Sequence, residues 1–253
     1  MLFQDQIALV TGASGGIGSA IAASLAAHGA AIRLVGRNAE ALQAVARGAG
    51  ERISCDVADI ASDQDVCDLR ARIERECGRL DILVHSAGLF SLGGVSAAPV
   101  AEFDRQYRIN LRAPYVLTQA LLPLIRKCRG QIVFINSTAG LNAQPNVSQY
   151  AATKHGLRAL ADSLRDEVNA DGVRVLSVFL GRTASPMQRA IHELEGKAYR
   201  SEELIQPEDV GTALVALLGL PRTVEVTNVA MRPLKRPADA PEAMVLPGRN
   251  RWS

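Results

Sequence analysis

The stretch IALVTGASGGIG, residues 7–18, joins a short apolar run to a glycine-rich turn that opens a helical pattern. A glycine-rich turn between a strand and a helix lets the backbone approach a pyrophosphate closely. The helix N-terminus adds free N–H groups and the positive end of the helix dipole. The alternative is a tight turn in which glycine serves backbone freedom alone. Because the turn directly follows the first strand, the pattern favours a dinucleotide-binding turn.

Short apolar runs alternate with longer helical patterns along the rest of the chain. Strands are predicted at residues 7–10, 31–35, 52–57, 80–88, 130–137, 173–180 and 223–233. Helices are predicted at residues 17–28, 39–46, 63–77, 102–126, 148–164 and 207–220. Continuous apolar strands separated by helices indicate a parallel sheet covered on both faces. The sequence therefore predicts an α/β fold, a Rossmann-type doubly wound parallel sheet in a single domain.

Two segments interrupt this alternation. Residues 182–206 are polar and helix-prone, and residues 234–253 form a proline-punctuated C-terminal tail. No linker or shift in composition divides the chain, so residues 1–233 are predicted to be one domain.

Composition excludes several classes of protein. The net charge is +2, the basic residues are scattered, and aromatic residues are only 4% of the chain, so no nucleic-acid partner is expected. The longest apolar stretch, residues 213–218, is too short to span a bilayer, and the N-terminus shows no signal peptide. The four cysteines have neither C-x-x-C nor metal-ligand spacing, so we expect no metal, no disulfide and a cytoplasmic protein.

A tyrosine and a lysine occupy inward-facing positions at the start of the predicted helix 148–164. The apolar face of this helix contains Leu157 and Leu164, and one and two turns before Leu157 it reaches Lys154 and Tyr150. An ammonium group is costly in the interior unless it is paired. The alternatives are a lysine that extends from the first turn to solvent and a lysine that binds a ligand.

The second strand ends in LVGRN, residues 34–38. At this place, about 20 residues after the glycine turn, an acidic residue would bind the ribose 2′-OH of NAD. Gly36 stands there instead, and Arg37 follows. An arginine suits a 2′-phosphate, so the stretch favours NADP(H) over NAD(H). The alternative is a solvated arginine in a loop.

Several motifs together resemble the short-chain dehydrogenase/reductase family, NADP(H)-preferring type. They are TGASGGIG at 11–18, CDV at 55–57, DILVHSAG at 81–88, Asn110 in INL, Ser137, and YAATK at 150–154. The resemblance extends from about residue 5 to 233. It implies a single-domain oxidoreductase that assembles into a homo-oligomer through residues 110–125 and 150–168. A homotetramer is expected, with a dimer as the alternative.

The resemblance also implies a catalytic set. Tyr150 would be the general acid/base, and the ammonium of Lys154 would favour its phenolate and bind the nicotinamide ribose. Ser137 would hydrogen-bond the substrate oxygen, although it could instead cap a turn. Asn110 would hold a water that links Lys154 to solvent, although it could instead be a helix-bending amide.

Further residues are implied to contact the cofactor. In the turn they are Gly12, Ser14, Gly15, Gly16, Ile17 and Gly18. Elsewhere they are Arg37, Asp56, Val57, Ser86, Ala87, Gly88, Gly181, Thr183 and Ser185, together with Tyr150 and Lys154. Asp56 and Val57 would touch the adenine, although Asp56 could equally be a loop acceptor.

Five positions depart from the family pattern. His85 and Ser86 replace asparagines, and we expect His85 to bond a neighbouring backbone group rather than act as a second acid/base. Leu180 precedes Gly181 where the family has proline, and Ser185 replaces a threonine. Ser14 stands where many NADP(H)-dependent relatives place a second basic residue.

The predicted reaction is hydride transfer between NADP(H) and a small-molecule alcohol or carbonyl. A catalytically silent nucleotide sensor and an epimerase or dehydratase with a retained nucleotide are the alternatives. The predicted substrate pocket consists of Phe90, Ser137, Leu141, Asn142, Gln144, Val147 and Tyr150, next to a substrate loop at about 182–206. This mixture fits a modest substrate with polar groups.

Overall fold

The computed structural model describes residues 1–50 and 52–234, and its strands form one sheet. The strands are β1 (Ile7–Thr11), β2 (Ala31–Gly36), β3 (Ile53–Val57), β4 (Ile82–His85), β5 (Gln131–Ser137), β6 (Arg174–Leu180) and β7 (Asn228–Met231). The α-helices are α1 (Gly16–Ala27), α2 (Ala39–Ala49), α3 (Asp63–Cys77), α4 (Val100–Tyr107), α5 (Ala113–Lys127), α6 (Ser148–Val168), α7 (Pro186–Leu194) and α8 (Pro207–Leu218).

All neighbouring strands are parallel, in the order β3-β2-β1-β4-β5-β6-β7. The chain winds outward from β1 to β3 and then crosses to the other side of β1, where β4 begins. This order confirms the predicted single-domain, doubly wound α/β fold. In such sheets the ligand crevice lies at the carboxyl ends of the strands, where the winding reverses, which is between β1 and β4.

Each sheet face has its own apolar core. Strand β1 sends Ala8 and Val10 into a cluster with α1 and α8, and Leu9 into a cluster with α3, α5 and α6. Because successive side chains on a strand alternate between faces, burial on both faces requires the continuous apolar runs seen in the sequence. The central strands are therefore packed against helices on both faces, and residues at their carboxyl ends are held in defined positions.

The region predicted as one helix at 102–126 is divided. A π-helical turn, Arg108–Arg112, separates α4 from α5. Pro114, at the start of α5, has no N–H to donate to the carbonyl one turn back, and this missing bond accommodates the wider turn. The last strand is shorter than predicted, Asn228–Met231, and the segment 182–206 contains α7 and a 3₁₀ turn, Ser201–Glu203.

Other predictions concerned membrane spans, metal ligands, disulfides and the C-terminal tail. Within residues 1–50 and 52–234, no helix is both long and apolar enough to cross a membrane. In the same ranges no group of three or more His, Cys, Asp or Glu side chains is arranged to hold a metal ion. The four cysteines are free. Of the predicted tail 234–253, residues 235–253 lie outside the described residues.

Candidate active site

A cavity of about 480 Å³ lies at the carboxyl ends of β1 and β4. It brings together most of the residues predicted to contact a cofactor. These are Gly12, Ser14, Gly15, Gly16, Ile17, Gly18, Arg37, Ser86, Ala87, Gly88 and Ser185. They come from the glycine turn, the ends of β2 and β4, and the segment before α7, so they meet only in the folded sheet.

The glycine turn is closed too tightly for side chains. Gly12 has a φ of 64°, and a Cβ there would lie 2.7 Å from the Cα of Ala87. A Cβ at Gly18 would lie 2.4 Å from the carbonyl oxygen of Gly12. Helix α1 has no side-chain cap at Gly15, which leaves its first-turn N–H groups available at the cavity. A compact backbone and free N–H donors are the groups that a pyrophosphate requires.

Thr11, which was not singled out in the sequence, ties this turn to the strand beside it. Its hydroxyl oxygen accepts hydrogen bonds from the N–H groups of Ser86 and Ala87, at 3.1 and 3.3 Å, and donates to the Val84 carbonyl at 3.3 Å. The two strand ends that flank the crevice are therefore held together. Its position at the end of the first strand, inside the quoted motif, was the available clue.

Three arginines line the cavity, of which the sequence indicated one. Arg37 lies in the loop after β2. Arg105 and Arg108, three residues apart on the helical segment that ends in the π turn, also line it. Arg105 donates to Glu102 at 2.6 Å, so part of its charge is neutralised. The acidic residue Asp59 also lines the cavity, so the three arginines leave it with a net positive charge.

Asp56 is not among the residues that line the cavity. The adenine contact suggested for it stays a prediction. Its carboxylate is buried and accepts from Nε and Nη2 of Arg33, at 2.7 and 2.8 Å. Val57 also does not line the cavity, and residues 58–61 form that edge instead. In the register of β2 and β3, Asp56 lies beside Val35. Arg33 is two residues earlier on β2, close enough to form an ion pair with the Asp56 carboxylate.

Gly181 and Thr183 are likewise not among the residues that line the cavity. The Thr183 hydroxyl donates to the Gly181 carbonyl at 3.1 Å, and Thr183 forms a parallel bridge with Ile205. Ser185 does line the cavity, and its hydroxyl accepts from the Gln188 N–H at 3.1 Å, so it also caps α7. The residues before α7 thus hold this helix beside the cavity.

Ser137, Tyr150 and Lys154 are brought together by β5 and α6. Ser137 ends β5, and its side chain interacts with that of Tyr150. Its Oγ also accepts a hydrogen bond from the Ala139 N–H at 3.1 Å, so Ser137 caps the turn that follows β5 as well. The Nζ of Lys154 lies 5.7 Å from the centroid of the Tyr150 ring and donates to the Ile135 carbonyl at 3.1 Å. Lys154 is only 4% exposed, so it does not extend to solvent.

Burial of Tyr150 and Lys154 favours the neutral form of each side chain and shifts the two pKa values accordingly. It raises the pKa of the Tyr150 phenol to about 12, although the polar interaction with Ser137 acts in the opposite direction. It lowers the pKa of the Lys154 ammonium to about 8. Near pH 7, the phenol therefore carries its proton and the lysine keeps most of its charge. This state can donate a proton to a substrate oxygen while a cation faces the phenolate left behind.

Asn110 is buried in the π turn and links two segments. Its Oδ1 accepts from the Leu89 N–H at 2.7 Å, and its Nδ2 donates to the Leu89 carbonyl at 2.8 Å and to Thr153 Oγ1 at 3.1 Å. Thr153 in turn donates to the Tyr150 carbonyl at 2.8 Å. The amide thus fixes the loop after β4 against α6, and its role in holding a water stays a prediction.

His85 bonds a side chain and not a backbone group, contrary to expectation. Its Nε2 lies 2.8 Å from the Thr118 hydroxyl oxygen, and its ring stacks on Phe134 at 4.9 Å. Burial lowers the pKa of the imidazole to about 3, so it is neutral at pH 7. His85 therefore fills a core position behind the crevice.

The residues predicted for the substrate pocket lie on two segments. Phe90 contacts the Tyr150 ring edge to face, with centroids 5.1 Å apart. The others lie on the stretch between β5 and α6, where Leu141 and Val147 are partly buried and Asn142 and Gln144 are exposed. A hydrogen bond of 2.8 Å from the Gly93 N–H to the Asn146 carbonyl joins the two segments.

Comparisons with known proteins identify the family. Residues 6–196 match the family described as short chain dehydrogenase. An uncharacterized short-chain type dehydrogenase/reductase of Sinorhizobium fredii is 36% identical over 235 residues, 90% of this chain and 91% of that protein. An uncharacterized oxidoreductase of Staphylococcus epidermidis is 31% identical over 232 residues, 91% and 98% of the two chains. A metagenomic short-chain oxidoreductase in complex with NADP has a TM-score of 0.81 and 30% identity, over 93% of this chain and all of that one.

Proposed function

Because the chain belongs to the short-chain dehydrogenase family of oxidoreductases, we propose that it transfers a hydride between NADP(H) and an alcohol or carbonyl substrate. One observation carries the proposal. The Ser137 side chain interacts with the Tyr150 phenol, and the buried ammonium of Lys154, one turn along the same helix, lies 5.7 Å from the centroid of the Tyr150 ring. A proton donor, an oxygen-binding hydroxyl and a cation are thus held on two rigid elements.

In the reductive direction, the substrate carbonyl oxygen accepts hydrogen bonds from Ser137 and Tyr150. The hydride for the carbonyl carbon would come from NADPH when that cofactor is bound. The Tyr150 phenol gives its proton to the oxygen, and the charge of Lys154 stabilises the phenolate that remains. In the oxidative direction the phenolate accepts the proton of the alcohol. Asn110 is proposed to hold a water through which Lys154 exchanges protons with solvent.

NADP(H) is proposed over NAD(H) because of the charges around the cavity. Gly36 offers no carboxylate to a ribose 2′-OH, and Arg37 offers forked N–H donors to a 2′-phosphate. Arg108, on another wall of the cavity, adds positive charge that favours the more anionic cofactor. The similarity to an oxidoreductase that binds NADP supports the same choice.

The experiment is to incubate the purified protein with NADPH and a panel of structurally diverse ketones and aldehydes. Loss of the reduced nicotinamide absorbance, dependent on a carbonyl, is the expected result. Nucleotide binding without any turnover would instead indicate a silent sensor. Conversion of a substrate without net cofactor oxidation would indicate an epimerase or dehydratase.

A homo-oligomer, with a tetramer expected, is part of the proposal. Helix α4 exposes Val100, Phe103 and Tyr107, which are 72%, 39% and 46% exposed at spacings of three and four residues. Large apolar side chains repeated on one helix face are typical of a covered surface. Light scattering that shows a monomer at micromolar concentration would contradict it. Because the four cysteines are free, a reducing compartment, the cytoplasm, is proposed.

A further inference from the structure

Asn136, the residue before Ser137, occupies a position that the strand pattern assigns to the core. Ile132 and Phe134 on the same face of β5 pack in the cluster that contains Leu157 and Ala161 of α6. Asn136 continues this face and is 3% exposed. A buried amide is costly unless its polar groups are hydrogen-bonded, so its partners indicate what it does.

Both groups of the Asn136 amide bond segments that carry the proposed catalytic residues. Its Oδ1 accepts from the backbone N–H of Ser137 at 2.8 Å, and its Nδ2 donates to the backbone carbonyl of Lys154 at 3.1 Å. The Nζ of Lys154 returns to β5 by donating to the Ile135 carbonyl at 3.1 Å. Lys154 is therefore bound to β5 through both its backbone and its side chain.

The packing around this contact leaves no room for adjustment. A Cβ at Gly140, in the 3₁₀ turn Thr138–Gly140 after Ser137, would lie 2.7 Å from Asn136 Oδ1 and 2.8 Å from the Lys154 carbonyl oxygen. The backbone of this turn thus closes over the amide from the outside. The turn, the Asn136 amide and the Lys154 carbonyl are therefore in close contact.

We propose that Asn136 is a positioning residue that sets the distance between Ser137 on β5 and the Tyr150–Lys154 pair on α6. It touches none of the proposed reacting groups through its own side chain. Loss of the amide lets α6 shift relative to the strand, and a displacement of about 1 Å between reacting groups can lower turnover by roughly 10²-fold. This inference rests on the proposed function.

The test compares Asn136→Leu with Gln131→Leu, a control on the same strand. Gln131 is also a buried amide, 5% exposed, and its Nε2 donates to the Leu218 carbonyl at 3.2 Å, but it lies at the opposite end of β5. We expect both variants to lower Tm by a similar amount. Only Asn136→Leu should lower kcat, by about 10- to 100-fold, with KM and the Kd for NADPH nearly unchanged.

Asn136→Asp serves as a second, nearly isosteric variant. It keeps an oxygen that can accept from the Ser137 N–H but removes the donor to the Lys154 carbonyl, so kcat should also fall, with a displaced pH profile. Wild-type kcat in Asn136→Asp, or an equal loss of kcat in Gln131→Leu, would overturn the positioning role. If the wild type itself reduced no carbonyl, the proposed function would be refuted instead.

Discussion

At the nucleotide end of the crevice the ligand-facing groups are backbone N–H groups and exposed arginines, whereas at the catalytic end they are side chains already bonded to the protein. Arg37 is exposed, and no hydrogen bond or ion pair of its side chain occurs within the described ranges. Lys154 is buried, and its ammonium already donates to the Ile135 carbonyl. The polar groups at the nucleotide end are free to bind a ligand. Those at the catalytic end are already fixed by hydrogen bonds within the protein.

This difference determines what a substitution does. Removing an exposed arginine costs its ligand contact and little folding free energy. Removing a buried hydrogen-bonded group leaves its partner unsatisfied, which costs roughly 1–3 kcal/mol of stability besides any effect on turnover. We therefore expect cofactor choice to be separable from stability, and catalysis to be coupled to it.

The largest expected effect is that of Tyr150→Phe. The substitution removes one hydroxyl and keeps the edge-to-face contact with Phe90, so kcat should fall by roughly 10²–10⁴-fold while NADPH still binds. Turnover and nucleotide affinity are measured on the same preparations. Tyr107→Phe, on the exposed side of α4, is the control and should leave kcat unchanged. More than about a tenth of wild-type kcat in Tyr150→Phe would rule out the acid/base role.

A smaller effect is expected at the nucleotide end. Charge-assisted hydrogen bonds contribute about 1.5–3 kcal/mol each, so the wild type should prefer NADPH over NADH in kcat/KM by roughly 10- to 150-fold. Gly36→Asp combined with Arg37→Ala should erode or reverse this preference and spare the maximal rate and Tm. Arg47→Ala, an exposed arginine that does not line the cavity, is the control. Equal use of both cofactors by the wild type would contradict the assignment.

The smallest effect concerns pH and the core behind the crevice. The pKa of His85 is about 3 in the folded protein and about 6.5 when unfolded, so between these values the unfolded chain binds the extra proton. Stability contributed by His85 is therefore present above pH 6.5 and is lost as pH falls. Between pH 7 and pH 5 the loss should be about 2 kcal/mol.

Urea denaturation at these two pH values tests this assignment. His85→Asn should remove most of the difference between them, whereas His28→Asn, at an exposed histidine, should leave it. An unchanged difference in His85→Asn would show that other groups cause the acid sensitivity.

Regular elements were the most predictable part of the fold. Helix α3 has the predicted bounds, Asp63–Cys77, because Ser62 caps its start and Gly78 adopts the left-handed conformation at its end. The division at Arg108–Arg112 was not predicted, since hydrophobic periodicity does not register the N–H that Pro114 lacks. Capping residues can be recognised in a sequence. A local change from α-helix to π-helix can be recognised only from the backbone hydrogen bonds in the structure.

The site residues likewise fall into those that a local sequence pattern predicts and those that it does not. The glycine turn and the Tyr150–Lys154 pair are local patterns. The glycine turn lines the cavity, and on α6 the Lys154 ammonium lies over the Tyr150 ring. The ion pair of Asp56 with Arg33 was not predicted, because the two residues lie 23 positions apart on neighbouring strands. Arg108 was missed because it meets the cavity only through the sheet order. Residues whose partners are distant in sequence could not be assigned from motifs.

The most direct test of hydride transfer uses NADPH deuterated at C4 of the nicotinamide, with a carbonyl that the wild type reduces. Two diastereomers of the label are tested, and mass spectrometry locates the deuterium after turnover. One diastereomer should place one deuterium on the carbinol carbon of each product molecule, and the other should leave its label in NADP⁺. Product alcohol without deuterium from either diastereomer would contradict direct transfer between the cofactor and the substrate carbon.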